Sequence, residues 1–360
     1  NDARLNISLL QTAKKFDAIC KNYNEVESFN YKDGKISGVE VKDRISGETI
    51  TYNSSIIINA TGAFSDKIRV LDNKKAKEML DLSSGIHIVL DKKYLPLEEG
   101  LMIPKTQDGR VLFILPWMGK CLVGTTDEKT ILNERPEVTK KDIDYLLKHL
   151  EIYFDLKIDE REILSSWCGI RPLVAAPKSA STKSIVRDHV ITSSDSGLVS
   201  IIGGKWTTYR KMAEEVVDYV IPKFNLVKNE CVTKKLKLVG SENLNKEQSI
   251  NFVSKEIATY LISMYGDKAQ DVVNSIDIIE KLHEDYPITN AEVIYCIKEE
   301  FVQKPLDFLV RRSSLALIDK NSSKEILEKV LYIMKDQLSW SEEELEKEKS
   351  EALSILNTYI

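Results

Sequence analysis

The sequence predicts an α+β protein on three observations. Short apolar or alternating runs bounded by glycine turns fill the chain as far as residue 203. The last of them, Leu198-Val199-Ser200-Ile201-Ile202, ends in Gly203-Gly204 and gives way to helical spacing. Beyond residue 235, helix-start signals replace strand signals.

In chain order, residues 3–17 have helical spacing, with Leu5, Leu9 and Ala13 on one face and Ile7 and Leu10 beside it. Asp33-Gly34 separates two strand-like runs, 26–31 and 36–41, and marks a hairpin. Ser46-Gly47 marks a second turn before residues 49–52. Ile56-Ile57-Ile58 runs into Asn59-Ala60-Thr61-Gly62, a pattern expected of a strand buried on both faces. Further strands are expected at 87–90, 111–116 and 121–124. A helix follows Thr139 as N-cap and carries Ile143, Tyr145, Leu146, Leu147 and Leu150. Residues 167–173 and 184–191 read as extended, and a helix follows Gly204 to about residue 220. In the tail, capping boxes are expected at Thr289…Glu292, Ser322…Glu325 and Ser341…Glu344, and Gly266 as a helix-ending residue.

The net charge is −5, with acids and bases interspersed. A nucleic-acid binder would carry a clustered basic face, so that class is set aside, whereas small anions need only one or two placed cations. The five cysteines have no Cys-x-x-Cys spacing and histidine is rare. No metal site and no disulfide framework is therefore expected, and a reducing compartment fits best. No apolar run is long enough to span a membrane. The chain opens at Asn1 without Met and reads as a fragment or processed piece, so missing targeting signals carry no weight.

Four segments are candidates for chemistry. In Gly203-Gly204-Lys205-Trp206-Thr207-Thr208-Tyr209-Arg210, glycines permit close approach to the backbone, and a helix start favours an anion. The same segment is equally a tight strand–helix turn with a surface Lys. In Trp167-Cys168-Gly169-Ile170-Arg171-Pro172-Leu173, Arg171 on a strand suits bidentate phosphate or carboxylate binding. It is equally the partner of an internal acid such as Asp127 or Asp188. His87, heading an apolar strand, is a general base, a cofactor neighbour or, more commonly, a satisfied core residue. His149, His189 and His283 are read in helix-surface or loop surroundings and given no chemistry. Gly124-Thr125-Thr126-Asp127 either positions a polyol or caps a turn. Arg311-Arg312 near Asp307 reads as an ion pair or interdomain contact.

Taken in order, Asp2-Ala3-Arg4-Leu5, Asn59-Ala60-Thr61-Gly62, Gly85-Ile86-His87-Ile88-Val89, Asp108-Gly109-Arg110-Val111 with Pro116-Trp117, Gly124-Thr125-Thr126-Asp127, Gly169-Ile170-Arg171-Pro172-Leu173 and the 203–210 segment resemble FAD-dependent glycerol-3-phosphate dehydrogenase of the mitochondrial type. The resemblance covers nearly the whole chain. It implies a partial FAD-binding domain (1–66 and 196–225), a substrate domain with a mixed β-sheet (67–195) and a helical C-terminal domain (235–360). It implies oxidation of sn-glycerol 3-phosphate to dihydroxyacetone phosphate, with hydride passing to flavin N5 and electrons to membrane quinone. By matching position, Arg171, Lys205 and Thr126 would bind substrate, and His87 with Arg171 would serve catalysis. Thr61, Gly62, Gly203, Gly204, Lys205, Trp206, Thr207 and Thr208 would contact FAD. The expected location is the mitochondrial inner membrane, or a bacterial cytoplasmic membrane.

One departure stands out: no G-x-G-x-x-G motif occurs. The remnant sheet is therefore expected to expose strand edges. An amino-acid oxidase-like flavoenzyme and a non-catalytic binding module are the rival readings. Without the pyrophosphate-binding unit this chain alone is expected to bind FAD weakly or not at all and to be inactive. Its purified form should be colourless; stoichiometric flavin absorbance with dehydrogenase activity would contradict this.

Overall fold

The computed structural model describes residues 1–95, 98–175, 189–244 and 250–358. Helix α1 (Asp2–Lys15) opens the chain, capped by Asn1, whose side chain accepts from the Arg4 amide. Strands β1 (Asn24–Lys32), β2 (Lys35–Asp43) and β3 (Thr49–Asn53) form an antiparallel meander. Asp33 and Gly34 both take positive φ, 53° and 73°, as a two-residue hairpin turn requires.

Strand β4 (Ile58–Asn59) leads through a 3₁₀ turn (Gly62–Phe64) into α2 (Ser65–Asp72). The largest sheet comprises β5 (Leu80–Asp91), β6 (Leu101–Ile103), β7 (Leu112–Trp117), β8 (Lys120–Gly124), β9 (Glu128–Lys129) and β10 (Ser165–Val174), in the order β10-β5-β8-β7-β6 with β9 beside β5. Helix α3 (Lys140–Phe154) covers one face, burying Ile143, Leu146 and Leu150 against Ile86, Ile88, Ile114 and Val123. Thr139 caps it as expected. A small sheet joins β11 (His189–Ser193), β12 (Val199–Gly203) and β4, and helix α4 (Tyr209–Lys223) packs on it.

Helices α5 (Lys255–Tyr265), α6 (Ala269–Val273), α7 (Asn290–Glu299), α8 (Pro305–Arg311), α9 (Leu315–Ile318), α10 (Lys320–Leu338) and α11 (Glu342–Leu356) share one core around Leu261, Phe308 and Leu331. Gly266 ends α5 with φ 60°, where a side chain would strike the Gly240 backbone.

Several expectations are corrected. Every described ladder of the large sheet is antiparallel, although only β7 and β8 are joined by a tight turn; the parallel pairing is β4 with β12. The 56–58 run is not buried on both faces: β4 holds two residues and Ile58 is 39% exposed, since only β12 pairs with it among the described residues. Ser322 lies inside α10; Asp319 is the N-cap and accepts from the Ser322 amide at 3.1 Å, a carboxylate being the better partner for a helix start. The boxes at Thr289 and Ser341 are formed. Gly204 is followed by a 3₁₀ turn (Trp206–Thr208) before α4 begins. Of the extended run at 184–191, residues 184–188 lie outside the described residues.

The deepest residues of α1 are Arg4, Ile7 and Thr12, not Leu5, Leu9 and Ala13. The cause is a buried ion pair. The Arg4 guanidinium grips both oxygens of Glu300, donates to the Met264 carbonyl at 3.2 Å and lies 4.2 Å from the Tyr265 ring centre. Burial alone would lower its pKa; Glu300 more than reverses this and holds it above the ordinary value. Of the tail arginines, Arg311 pairs with Asp307 at 3.4 Å, whereas Arg312 donates to the Glu300 carbonyl and lies 3.6 Å from its carboxylate. Tyr23 also donates to Asp307, at 2.8 Å, completing an interdomain contact. Arg4→Met should cost about 3 kcal/mol, because it leaves the buried Glu300 carboxylate with only the longer Arg312 contact at 3.6 Å and the Cys296 thiol. Arg44→Met, which breaks an exposed pair with Glu25, should cost under about 1 kcal/mol. Denaturant titration of both variants checks the contrast.

Candidate active site

The face of the large sheet opposite α3 is built by period-two alternation. Residues directly paired across strands share a face. Trp167, His87, Gly124, Phe113 and Met102 therefore form one row across β10, β5, β8, β7 and β6. Gly169 opposes Gly85 in the next row along β10 and β5, and Arg171 opposes Ser83 beyond it. At the other end of this face, Ser165 donates to the Ala316 carbonyl at 2.7 Å, so the C-terminal domain closes over it.

Two glycines make the site possible. A Cβ at Gly85 would collide with both terminal nitrogens of Arg171 and with Thr125 Oγ1. A Cβ at Gly124 would collide with the His87 ring. Each missing side chain leaves the space that a candidate site residue occupies. The His87 ring stacks on Trp167 with centres 5.6 Å apart, and Trp117 leans on the same indole.

Arg171 Nη2 donates to Thr125 Oγ1 at 2.9 Å, and Nη1 reaches the Ser84 and Thr126 carbonyls at 3.3 Å each. Asp127 is 3.7 Å away and 64% exposed, and it also accepts from Ser83. Asp188 lies outside the described residues. The guanidinium is thus oriented mainly by neutral oxygens and is 37% exposed. Burial first, and then the Arg171 charge, push the His87 pKa down to about 4. The imidazole is therefore neutral at physiological pH and can accept a proton.

The remaining candidates divide. The Thr126 hydroxyl is buried and accepts from the Ile86 amide at 3.1 Å; its carbonyl, not its hydroxyl, meets Arg171. Thr125 supplies the hydroxyl at Arg171, and sequence alone did not single it out. Past the end of β8 alternation no longer decides which threonine faces the site. Thr61 is exposed on a turn fixed by buried Asn59, which accepts from the Thr61 amide and hydroxyl and donates to Ser65 O and Ser200 Oγ. Gly62 has φ 58° and open space where a side chain would stand. Gly203 and Gly204 have φ 77° and 85°, and Gly204 lies against Met212. Lys205, Trp206, Thr207 and Thr208 are exposed, with Trp206 stacked on Tyr209. Strand β10 packs against β12 and the 62–64 turn, so these turns adjoin the sheet that carries Arg171 and His87.

Of the other histidines, His149 is buried inside α3 and His189 lies half-buried on β11, whereas His283 lies in an irregular segment as read. His149 is buried with Nδ1 2.7 Å from the Tyr145 carbonyl; His189 and His283 pair with Glu215 and Glu325.

Comparison with known proteins matches this arrangement. Residues 1–210 fit the sequence profile described as FAD dependent oxidoreductase. The crystal structure of glycerol-3-phosphate dehydrogenase from Bacillus halodurans, complexed with FAD, superposes with a TM-score of 0.85 at 30% identity over 99% of this chain and 73% of that one. The chain belongs to the FAD-dependent glycerol-3-phosphate dehydrogenase family. Residues 231–345 fit the C-terminal domain of alpha-glycerophosphate oxidase. Among curated relatives, a probable mitochondrial glycerol-3-phosphate dehydrogenase of Dictyostelium discoideum is 38% identical over 99% of this chain and 60% of its own length. The Mesocricetus auratus mitochondrial enzyme is 37% identical over 99% of this chain and 52% of its length. The chain thus spans little more than half of these relatives.

FAD is the cofactor of this family. The residues present fit it: Gly62 leaves backbone open to a ligand, and the 206–208 turn starts with amides that have no intrahelical partner.

The folded His87 binds a proton near pH 4 and an unfolded histidine near 6.5. Between these values the unfolded chain holds more protons, so acidification through the window lowers stability. The thermal midpoint should fall from pH 6.5 to 4, and His87→Gln should flatten the decline; calorimetry across that range tests it.

Proposed function

We propose that this chain carries the substrate half of the active site of an enzyme that oxidises sn-glycerol 3-phosphate to dihydroxyacetone phosphate. The observation that carries the reading is Arg171. It is a guanidinium held over Gly85 by neutral oxygens, open to solvent, next to a neutral imidazole. Such a group binds a phosphate dianion through charge-assisted hydrogen bonds. Lys205, at the end of the glycine turn, adds a second cation to the substrate or the cofactor. The names of the matched relatives support the substrate assignment.

In this reading Arg171 anchors the phosphate and His87 receives the proton of the substrate C2 hydroxyl. The dianion offsets the Arg171 charge that depresses His87, so binding raises the basicity of the imidazole when it is required. Thr61, Gly62 and the 203–208 turn would hold FAD, which would supply a two-electron acceptor for the oxidation. Trp167 fixes the ring plane of His87. The mitochondrial names of the relatives support a mitochondrial location; quinone as final acceptor and the inner membrane as its place belong to the same proposal. Among the described residues no helix is long and apolar enough to cross a membrane.

In the full-length protein, dye-coupled oxidation should proceed with glycerol 3-phosphate and not with amino acids, which separates this reading from an amino-acid oxidase. Arg171→Ala should cost about 2 kcal/mol or more, about 30-fold in kcat/KM. Unchanged affinity for glycerol 3-phosphate in that variant would favour a non-catalytic module.

A further inference from the structure

Away from the sheet face, a cavity of about 580 Å³ opens between α1 and the C-terminal helices. Lys14 and Lys15 enter it from the last turn of α1, Lys298 from the last turn of α7, and Lys268 from the 3₁₀ turn Gly266–Lys268. Lysines at helix C-termini complement the helix dipole, which accounts for three of them singly. The dipole does not account for their convergence on one cavity with a fourth.

Two acids, Asp271 and Glu299, also line the cavity, so its four lysines outnumber its carboxylates. Lys15 pairs with Glu242 outside the lining, and Lys268 pairs with Asp271 at 3.1 Å. Among the described residues no carboxylate is within ion-pair distance of Lys14 or Lys298. Buried Tyr295 forms one wall, its ring edge-on to Tyr265. The volume is in the range of small-ligand sites. Ammonium groups on flexible stems are point charges that gather round phosphate oxygens without demanding a fixed geometry.

We propose that this cavity is an accessory site for a small polyanion of the phosphate or pyrophosphate class, whether free or presented by a lipid headgroup. It is separate from Arg171 and does not depend on the proposed reaction. Because α1 and the C-terminal domain supply opposite walls, the bound anion fastens one to the other beside the Arg4–Glu300 pair. Ligand binding there therefore raises thermal stability.

The test is calorimetric titration of the full-length protein with sodium pyrophosphate at low ionic strength. It compares the wild type, Arg171→Ala and the double variant Lys14→Gln/Lys298→Gln. Both lysines are exposed, so the double variant retains the fold, which circular dichroism confirms. The expected result is binding that survives Arg171→Ala and weakens at least about tenfold in the double variant, with loss of the pyrophosphate-induced rise in thermal midpoint. Co-sedimentation with phosphatidylglycerol vesicles separates the sources: dependence on the two lysines assigns a headgroup, and independence assigns a free anion. Absence of pyrophosphate binding in Arg171→Ala, or binding unaffected by the double variant, overturns the proposal.

Discussion

The close approach of a guanidinium and an imidazole to two bare glycines is the constraint on which the site rests. Arg171 and His87 sit on one face of a sheet, and both are cationic when protonated. Their mutual repulsion, together with burial, keeps His87 neutral. Side chains at Gly85 or Gly124 would push these groups off the sheet and into solvent. Water would then screen the Arg171 charge, and the imidazole would recover its ordinary affinity for protons. The missing Cβ atoms thus control electrostatics as well as space.

The rest of the fold holds that face against the cofactor turns. Asp66 on α2 accepts from the amides of Met79 and Leu80 at 2.8 and 3.0 Å, which ties the start of β5 to the helix after Gly62. Arg69 braces Asp66 and reaches the Lys77 carbonyl. Asn59 fastens the Thr61 turn to Ser200 on β12. The candidate cofactor turns are therefore tied to the sheet that carries His87 by directed hydrogen bonds. Arg4 and Glu300 perform the same service for the C-terminal domain, at the cost of desolvating two charges.

What was legible in the sequence was local. Asp33-Gly34, Thr139 and Gly203-Gly204 announced their turns because positive φ and orphan amides demand particular residues wherever they occur. Gly85 and Arg171 were visible as motif members, and their juxtaposition was not, since the register of β5 against β10 is a tertiary fact. The failures were also tertiary. Arg4 was unreadable as the buried side of α1, because its partner lies 296 residues away. Ser322 lost its capping role to Asp319, three residues earlier. Thr126 and Thr125 could not be told apart in the sequence: the Thr126 hydroxyl accepts from the Ile86 amide, and the Thr125 hydroxyl accepts from Arg171.

Asp127 bears on why the site would prefer a phosphate to a carboxylate. At 3.7 Å, and mostly exposed, it is close enough to balance part of the Arg171 charge and too solvated to neutralise it. A carboxylate ligand brings one negative charge, the same as Asp127 already offers, and gains little by taking its place. A phosphate dianion brings two charges and more acceptor oxygens, so it outcompetes the resident acid without displacing Thr125 or the two carbonyls. A negative charge bound at Arg171 also offsets that part of the His87 shift that comes from the guanidinium, the larger part being burial. The residue that weakens Arg171 for simple anions thereby couples recognition of the phosphate to the basicity of the imidazole.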